Sequence, residues 1–526
     1  MDLDPVTCRR ARLAKDARFD GRFFVGVKTT GVFCRPICPA VSPRECNVEY
    51  FPTAAAAAEA GFRACLRCRP ECAPGTPAWT GASATVARAL RLIGDGALEA
   101  DGVDALADRL GVGARHLRRL FLDHLGASPV AIAQTRRLLS AKRLIDETDL
   151  PLTAIAMAAG YGSIRRFNAA FLASYGRSPR DLRRHTLVVR NPTTDRRSRG
   201  RDPHAGLRTP DSEHRTSDIG HRTTPGESVL PRYVFQLRYR PPFDWDALLA
   251  FLGPRAIPGV ELVDGSAYRR SIQIAGATGW LEVTAREPGA LQVSIEFPEP
   301  AQMLRIVSRV RRMFDLDADP MAIDAHLARD PMLAPLVARR PGLRVPGAWD
   351  GFELGVRAIL GQQVSVAAAT TLAGRLAAQF GRPMEPAAQA GDGLTHTFPP
   401  PAAVVAARAS DIGVPARRGE AIQRFADAVA RGVVSFEGGV AAGAFRERLL
   451  ELPGIGEWTT EYIALRALGD PDAFPSGDLG LLRATGLGSA GDLLKRAQAW
   501  RPWRAYAALH FWTGGANATP AMAKRA

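Results

Sequence analysis

The sequence has no cysteine beyond Cys72, no apolar run long enough to span a bilayer, and aromatic residues at only 7% of its 526 positions. Without about 20 consecutive apolar residues there is no candidate membrane-spanning helix. The N-terminal stretch MDLDPVTCRR also lacks the hydrophobic segment of an export signal, so a cytoplasmic location is expected. The same features argue against a secreted disulfide scaffold, whose bridges are spread along the chain. Acidic residues are in deficit too: 53 Asp and Glu against 69 Lys and Arg leave a net charge of +16 and a pI near 10.1. That balance points to a polyanionic partner. With the membrane reading weakened, nucleic acid fits better.

One core cannot serve a chain of this length, and about three or four domains are expected. Composition divides it. Residues 1–79 carry every cysteine and end in the Pro-rich CAPGTPAW. Residues 80–185 show helical spacing with few prolines. Residues 186–230 read as a flexible, mildly basic linker: within 190–222 the aliphatic residues are Ala205, Leu207 and Ile219, too few to bury a core. Over 231–305 the period is two. Tyr233, Phe235, Leu237 and Tyr239 alternate with polar partners, as do Ile272 and Ile274, and Leu291, Val293 and Ile295, which predicts a half-buried antiparallel sheet. The period turns helical from about 301 and stays so through 306–515, leaving 516–526 as a tail. The fold expected is multidomain α+β: a small zinc-binding α/β unit, an all-α unit, and a last unit with strands first and helices after.

Cys34 and Cys38 form one close pair and Cys65 and Cys68 another, with residues 39–64 between them. Two close pairs across a loop suit tetrahedral thiolate coordination of one Zn2+ per chain. A closed knot that only holds a small domain together is the plainer alternative, and spacing alone favours it. Cys8, Cys46 and Cys72 are left as bystanders. The stretches Thr29-Thr-Gly-Val-Phe-Cys-Arg-Pro-Ile-Cys38, Glu45-Cys-Asn-Val48 and Gly61-Phe-Arg-Ala-Cys-Leu-Arg-Cys68 change the weighting. Together they resemble the N-terminal domain of Ada-type methyl-phosphotriester repair proteins, over roughly residues 1–75. The resemblance implies that Cys34 is both zinc ligand and methyl acceptor, with Cys38, Cys65 and Cys68 completing the ligand set.

The physics of such a switch stands on its own. A metal-bound thiol is a thiolate at neutral pH, and thiolate is the nucleophilic form. Four thiolates around Zn2+ carry a net charge of about −2, which repels backbone phosphates. Methylating one sulfur removes one of those charges. At about 10 Å and an effective dielectric of about 20 this is worth roughly 1.7 kcal/mol per phosphate before salt screening. Methylation would then tighten DNA binding.

Residues 80–185 contain two similar units, GVDALADRLGVGARHLRRLFLDHLGASPVAIA and PLTAIAMAAGYGSIRRFNAAFLASYGRSPRDLRR. Each reads as an amphipathic helix, a glycine turn (Gly111, Gly160) and an arginine-rich helix, which is helix-turn-helix logic. A helical bundle with a solvated arginine face is the bland alternative. The stretch Ile155-Ala-Met-Ala-Ala-Gly-Tyr-Gly-Ser-Ile-Arg-Arg-Phe-Asn-Ala-Ala-Phe171, followed by Gly176-Arg-Ser-Pro-Arg180, resembles the AraC-type signature, over about 83–185. Candidate groove or phosphate contacts are Arg115, His116, Arg118 and Arg119 on the first recognition helix. On the second they are Ser163, Arg165, Arg166 and Asn168.

The densest signal is Leu452-Pro-Gly-Ile-Gly-Glu-Trp-Thr-Thr-Glu-Tyr-Ile-Ala-Leu-Arg466, followed by Phe474-Pro-Ser-Gly-Asp478. Gly454 and Gly456 let the backbone approach closely and present amide N–H groups at a helix start, a nest that can hold a phosphate through a monovalent cation. Asp478 could simply cap the helix after it. The arrangement, with Arg357-Ala-Ile-Leu-Gly-Gln-Gln-Val-Ser365 and Trp500-Arg-Pro-Trp503-Arg-Ala-Tyr506-Ala-Ala-Leu-His-Phe-Trp512, resembles the AlkA-type branch of helix-hairpin-helix glycosylases over most of 231–515. The resemblance implies that Asp478 stabilises the cationic sugar as the glycosidic bond breaks. It implies too that Trp458, Tyr462 and Trp512 line a pocket for the extruded base. Electron-rich ring faces attract a positively charged alkylpurine, although such aromatics are more often core. Gln363 stands where a wedge side chain would fill the hole left by the flipped nucleotide.

These readings converge on a bifunctional DNA-alkylation-response protein. Its partners would be alkylated and promoter double-stranded DNA and, for the activator role, RNA polymerase, and it would act as a monomer. The chief rival is a regulator with a structural zinc site and a catalytically inactive helix-hairpin-helix domain. A DNA-compaction protein is a third reading. The ring-rich motif argues against it, because compaction needs charge rather than cavities.

Overall fold

The computed structural model describes residues 4–70, 73, 84–94, 96–100, 102–147, 150–183, 230–384, 393–436 and 442–515. Cys72, the tail 516–526, and the linker apart from Leu230 lie outside the described residues. Among those described, no helix is long and apolar enough to cross a membrane.

The first unit is a four-stranded mixed sheet in the order β3-β1-β2-β4, made of Phe24–Val27 (β1), Val32–Cys34 (β2), Val48–Phe51 (β3) and Arg63–Ala64 (β4). β1 pairs antiparallel with β2 and β3, while β4 runs parallel to β2. Every residue of β1 is buried because both faces are covered. Phe24 packs with the alanines of helix Ala54–Glu59, and Phe23 and Val25 pack toward the cysteines. Thr53 caps that helix by accepting from the Ala56 amide at 3.0 Å, and its hydroxyl donates to the Leu125 carbonyl at 2.9 Å. That second bond ties the sheet unit to the helices that follow.

Those helices form two helix-turn-helix pairs, Val103–Leu110 with Ala114–Leu125 and Leu152–Ala158 with Ile164–Tyr175, joined by the long helix Pro129–Glu147. Gly111 ends the leading helix of the first pair in the left-handed region, and Gly160 takes the same conformation in the turn of the second. Leu106, Leu117, Phe121 and Leu125 bury one side of the first pair; Ile155, Phe167, Phe171 and Tyr175 do so in the second.

The last unit opens with a five-stranded antiparallel sheet in the order β5-β9-β8-β7-β6, formed by Arg232–Arg238 (β5), Glu261–Asp264 (β6), Ala267–Ile274 (β7), Ala277–Glu287 (β8) and Ala290–Glu296 (β9). The period-two expectation holds on the edge strand β5, whereas in β7 and β9 the intervening Ser271 and Ser294 are buried as well. Tyr233, Phe235 and Leu237 are buried opposite Ile295, Val293 and Leu291 in register, while Val234 is exposed. Burying each such side chain contributes about 1.5–3 kcal/mol. A buried charge network joins this sheet to helix Gly351–Leu360: Arg270 donates to Glu353 at 2.7 Å and Arg357 to Glu261 at 2.9 Å. Two apolar cores follow. Helix Glu457–Arg466 lies between them, giving Ile463 to one and Leu465 to the other. A cavity opens where that helix faces Arg504–Gly515 and the start of Leu479–Thr485.

Candidate functional sites

The four cysteines of the two close pairs converge. Cys34 ends β2, Cys38 follows a turn closed by its amide donating to the Arg35 carbonyl at 3.1 Å, and the Cys65 amide extends the β4 pairing by donating to the Phe33 carbonyl at 3.0 Å. All four sulfurs lie within 4.8 Å of one another. A tetrahedral zinc–thiolate centre with Zn–S of about 2.3 Å has sulfur–sulfur edges of roughly 3.8 Å, so this donor set fits zinc. Cys34 and Cys68 are 8% and 7% exposed, whereas Cys38 and Cys65 are half-buried, so the cluster lies close to the surface. The Arg35 amide donates to the Cys68 sulfur at 3.3 Å, a bond that favours thiolate charge. The Arg35 side chain is buried, bonded to Asp20 at 2.8 Å and to the Cys68 carbonyl at 3.0 Å. Cys8 is buried and Cys46 exposed, both outside this cluster.

Arg115, His116, Arg118 and Arg119 are exposed along Ala114–Leu125, on the side away from buried Leu117 and Phe121. His116 and Arg119 are in hydrogen-bond contact at 3.1 Å. Arg165, Arg166 and Asn168 are exposed on the equivalent helix, and Ser163 caps it by accepting from the Arg166 amide at 3.3 Å. The two arginine-bearing surfaces are equivalent faces of repeated units, as the duplication predicts.

At the hairpin, Gly454 has a φ of +93°, and a Cβ there would lie 2.7 Å from the Ala421 Cβ, so both backbone and space demand glycine. Gly456 is the N-cap of Glu457–Arg466 and is exposed, as are Gly454 and Glu457, while Ile455 between the glycines is buried. Gln362 braces the turn, donating to the Gly454 carbonyl at 2.9 Å and to the Thr459 hydroxyl at 3.1 Å.

Twenty residues beyond Trp458 in the chain, Asp478 meets it. The Trp458 indole donates to Oδ2 of Asp478 at 2.8 Å, and the Trp512 indole donates to Oδ1 at 2.9 Å. Asp478 is also the N-cap of Leu479–Thr485, its Oδ1 accepting from the Leu481 amide at 2.9 Å. Capping and pocket geometry therefore coexist in one side chain. Trp458 and Tyr462 stack at 5.2 Å and 9°, with Trp512 edge-on to Tyr462 at 6.4 Å and 61°. These rings and Asp478 line a cavity of about 410 Å³. Arg466 donates to the Tyr462 hydroxyl at 2.9 Å; burial would raise that phenol, but Arg466 and Arg255 hold it below its usual value. Gln363 is exposed, in the left-handed region at φ +56°, between Gly361 and Val364, which line the cavity while Gln363 itself does not.

Three family profiles match the chain: the metal binding domain of Ada over residues 7–71, a helix-turn-helix domain over 106–185 and the AlkA N-terminal domain over 234–350. The probable bifunctional transcriptional activator/DNA repair enzyme AlkA of Mycobacterium tuberculosis (strain H37Rv) is 40% identical over 517 residues, 98% of this chain and 97% of that protein. The chain belongs to this bifunctional AlkA family. Parts of the chain match separate relatives as well. DNA-3-methyladenine glycosylase 2 of Escherichia coli K12 is 35% identical over 287 residues, 53% of this chain and 96% of that protein. The bifunctional transcriptional activator/DNA repair enzyme Ada of the same organism is 39% identical over 135 residues, 25% of this chain and 35% of that protein.

Sequence reasoning missed much of the cavity wall in this bifunctional AlkA chain, Leu354, Val366, Ala369 and Ala373 among it, and most notably two residues from far upstream. Phe251 and Arg255 come from the segment between β5 and β6, far upstream of the hairpin. The Arg255 guanidinium lies 4.0 Å from the Phe251 ring centroid, and Arg466 covers the same ring at 5.0 Å. Their spacing of one helical turn was the only local signal, and it looks like ordinary core.

Proposed function

We propose that this chain senses DNA alkylation at Cys34 and excises alkylated purines at Asp478. The observation that carries the second half is the Asp478 carboxylate, held by two indole donors at the edge of a ring-lined cavity.

At the first site, zinc bound by Cys34, Cys38, Cys65 and Cys68 supplies thiolate character at neutral pH. The Cys34 sulfur attacks the methyl carbon of a methyl phosphotriester. A carbon–sulfur bond forms, the carbon–oxygen bond breaks, and a phosphodiester anion leaves. The lost thiolate charge then favours DNA at the exposed arginines Arg115, Arg118, Arg119, Arg165 and Arg166, with Asn168 beside them. Transcription activation follows through RNA polymerase, in the cytoplasm, with the chain acting as a monomer.

At the second site, a flipped base slides between the rings of Trp458, Tyr462 and Trp512. An alkylpurine bears positive charge, which the ring faces stabilise and which already weakens its glycosidic bond. Asp478 faces the cationic sugar of the transition state, its charge held in place by fixed donors. Gln363 fills the vacated helix position, and the amides around Gly454 and Gly456 hold a backbone phosphate, assisted by a monovalent cation.

One incubation tests both halves. The purified zinc-loaded protein is mixed with methylated duplex, the Cys34 peptide is weighed for one added methyl, and the supernatant is assayed for free methylpurine. Cys34→Ser should lose only the first signal and Asp478→Asn only the second. An unmodified Cys34 peptide defeats the sensing reading, and a supernatant without methylpurine defeats the excision reading.

A further inference from the structure

We propose that a buried ion pair between Arg22 of the cysteine unit and Asp319 of the last unit sits in a seam that holds the two halves as one body. The Arg22 guanidinium lies 2.9 Å from the Asp319 carboxylate, with side chains only 7% and 1% exposed. Arg240 is fully buried and donates to the carbonyls of Asp317 at 2.7 Å and Ala318 at 3.3 Å. Burial pushes Arg240 down to about 10, against the opposing pull of Asp319, Asp317 and Asp20. The direct ionic contact between the halves is thus the Arg22–Asp319 pair.

Apolar and backbone contacts surround these charges. Helix Leu152–Ala158 packs on the turn Pro300–Gln302, and one cluster of buried apolar residues runs from Phe24 through Ile155 to Tyr233 and Ile295. Arg143, on the long helix, donates to the Gln236 carbonyl of β5. β5 is an edge strand, and its outward carbonyls are groups that proteins cover. Separated halves would hydrate Arg22 and Asp319 at little loss, so the ion pair itself does not drive closure. Apolar burial drives it, and the Arg22–Asp319 pair selects one register.

This seam goes beyond the functional reading and does not depend on it. The recognition-helix arginines remain exposed and the Asp478 cavity lies on other elements, so docking leaves both candidate DNA surfaces free. Asp20 is also the partner of Arg35, the residue after Cys34, so the seam is one ion pair away from the methyl-acceptor loop.

The test is small-angle X-ray scattering of the full-length zinc-loaded chain, with Arg22→Asp, Asp319→Arg and the double swap. The wild type should scatter as one compact particle. Each single reversal should raise the radius of gyration by several Å, and the double swap should return it to the wild-type value. Circular dichroism and zinc content check folding. If the single variants misfold, the wild type and the double swap decide alone. A wild-type chain scattering as two independently moving bodies overturns the seam, as do folded single reversals with unchanged scattering.

Discussion

Trp512 and Asp478, 34 residues apart in sequence, are joined by a 2.9 Å indole-to-carboxylate hydrogen bond. The ring that donates this bond also forms part of the cavity wall, so one side chain sets both the carboxylate's orientation and the shape of the space before it. Trp512→Phe keeps an aromatic wall and deletes the donor. A hydrogen bond to a charged group is worth about 1.5–3 kcal/mol, so base release should slow by roughly ten- to a hundredfold. Single-turnover release of methylpurine measures this. A rate within twofold of wild type would mean that Trp458 and Leu481 suffice to hold Asp478.

Asp478→Asn separates the two jobs of that residue. Asparagine caps helices about as well as aspartate through its one carbonyl oxygen, but its amide nitrogen cannot accept the second indole bond, so urea stability should fall by about 1.5–3 kcal/mol with the fold retained. The negative charge is lost, and base release should fall to background while DNA affinity persists. Loss of folding in this variant would show that the cap and the indole bonds need the charge as well.

Zinc withdrawal should divide the chain's activities. The ligands come from β2, from the turn after it and from the segment following β4, so an uncompensated cluster of close sulfurs destabilises the small sheet unit. A strong chelator should abolish methyl transfer to Cys34 and leave methylpurine release intact, because the Asp478 cavity holds no cysteine. Zinc restoration should recover the transfer. Parallel loss of both activities would contradict this division.

The cysteine centre was legible because its ligands come in close pairs that the chain needs only to bring together once. The hairpin was legible for the same reason, since Gly454 and Gly456 punctuate a helix start. Asp478 was half legible: the N-cap was visible from the residues after it, whereas the indole bonds required Trp458 and Trp512 to fold onto it. Phe251 and Arg255 left no local imprint, because an i,i+4 pair of this kind reads as packing until the cavity is seen. The Arg22–Asp319 pair was invisible for a stronger reason. A compositional break over 186–230 argues for independent halves, and only the three-dimensional contact argues against it.

His510 offers a stability test with a defined sign. It is 2% exposed on the helix that carries Trp512, and burial, reinforced by Arg340, lowers it from 6.5 to about 4. A depressed folded value means that the neutral ring is the form the fold accepts. Its contribution is therefore present above about pH 6.5 and is lost as pH falls toward 4. At pH 5 the loss is about 2 kcal/mol relative to pH 7. Asp315 runs the other way: burial raises it to about 6, so its contribution is present at low pH and lost as pH rises through 6. Both effects mix in the wild-type profile, and a variant at His510 isolates one. His510→Gln cannot take up the proton, so its stability deficit against wild type should shrink by about 2 kcal/mol between pH 7 and pH 5. Urea unfolding of both proteins at the two pH values reads this difference directly, with the Asp315 contribution cancelling. A deficit that stays constant would mean that His510 is protonated in the folded state at pH 5, and that the helix bearing Trp512 admits water.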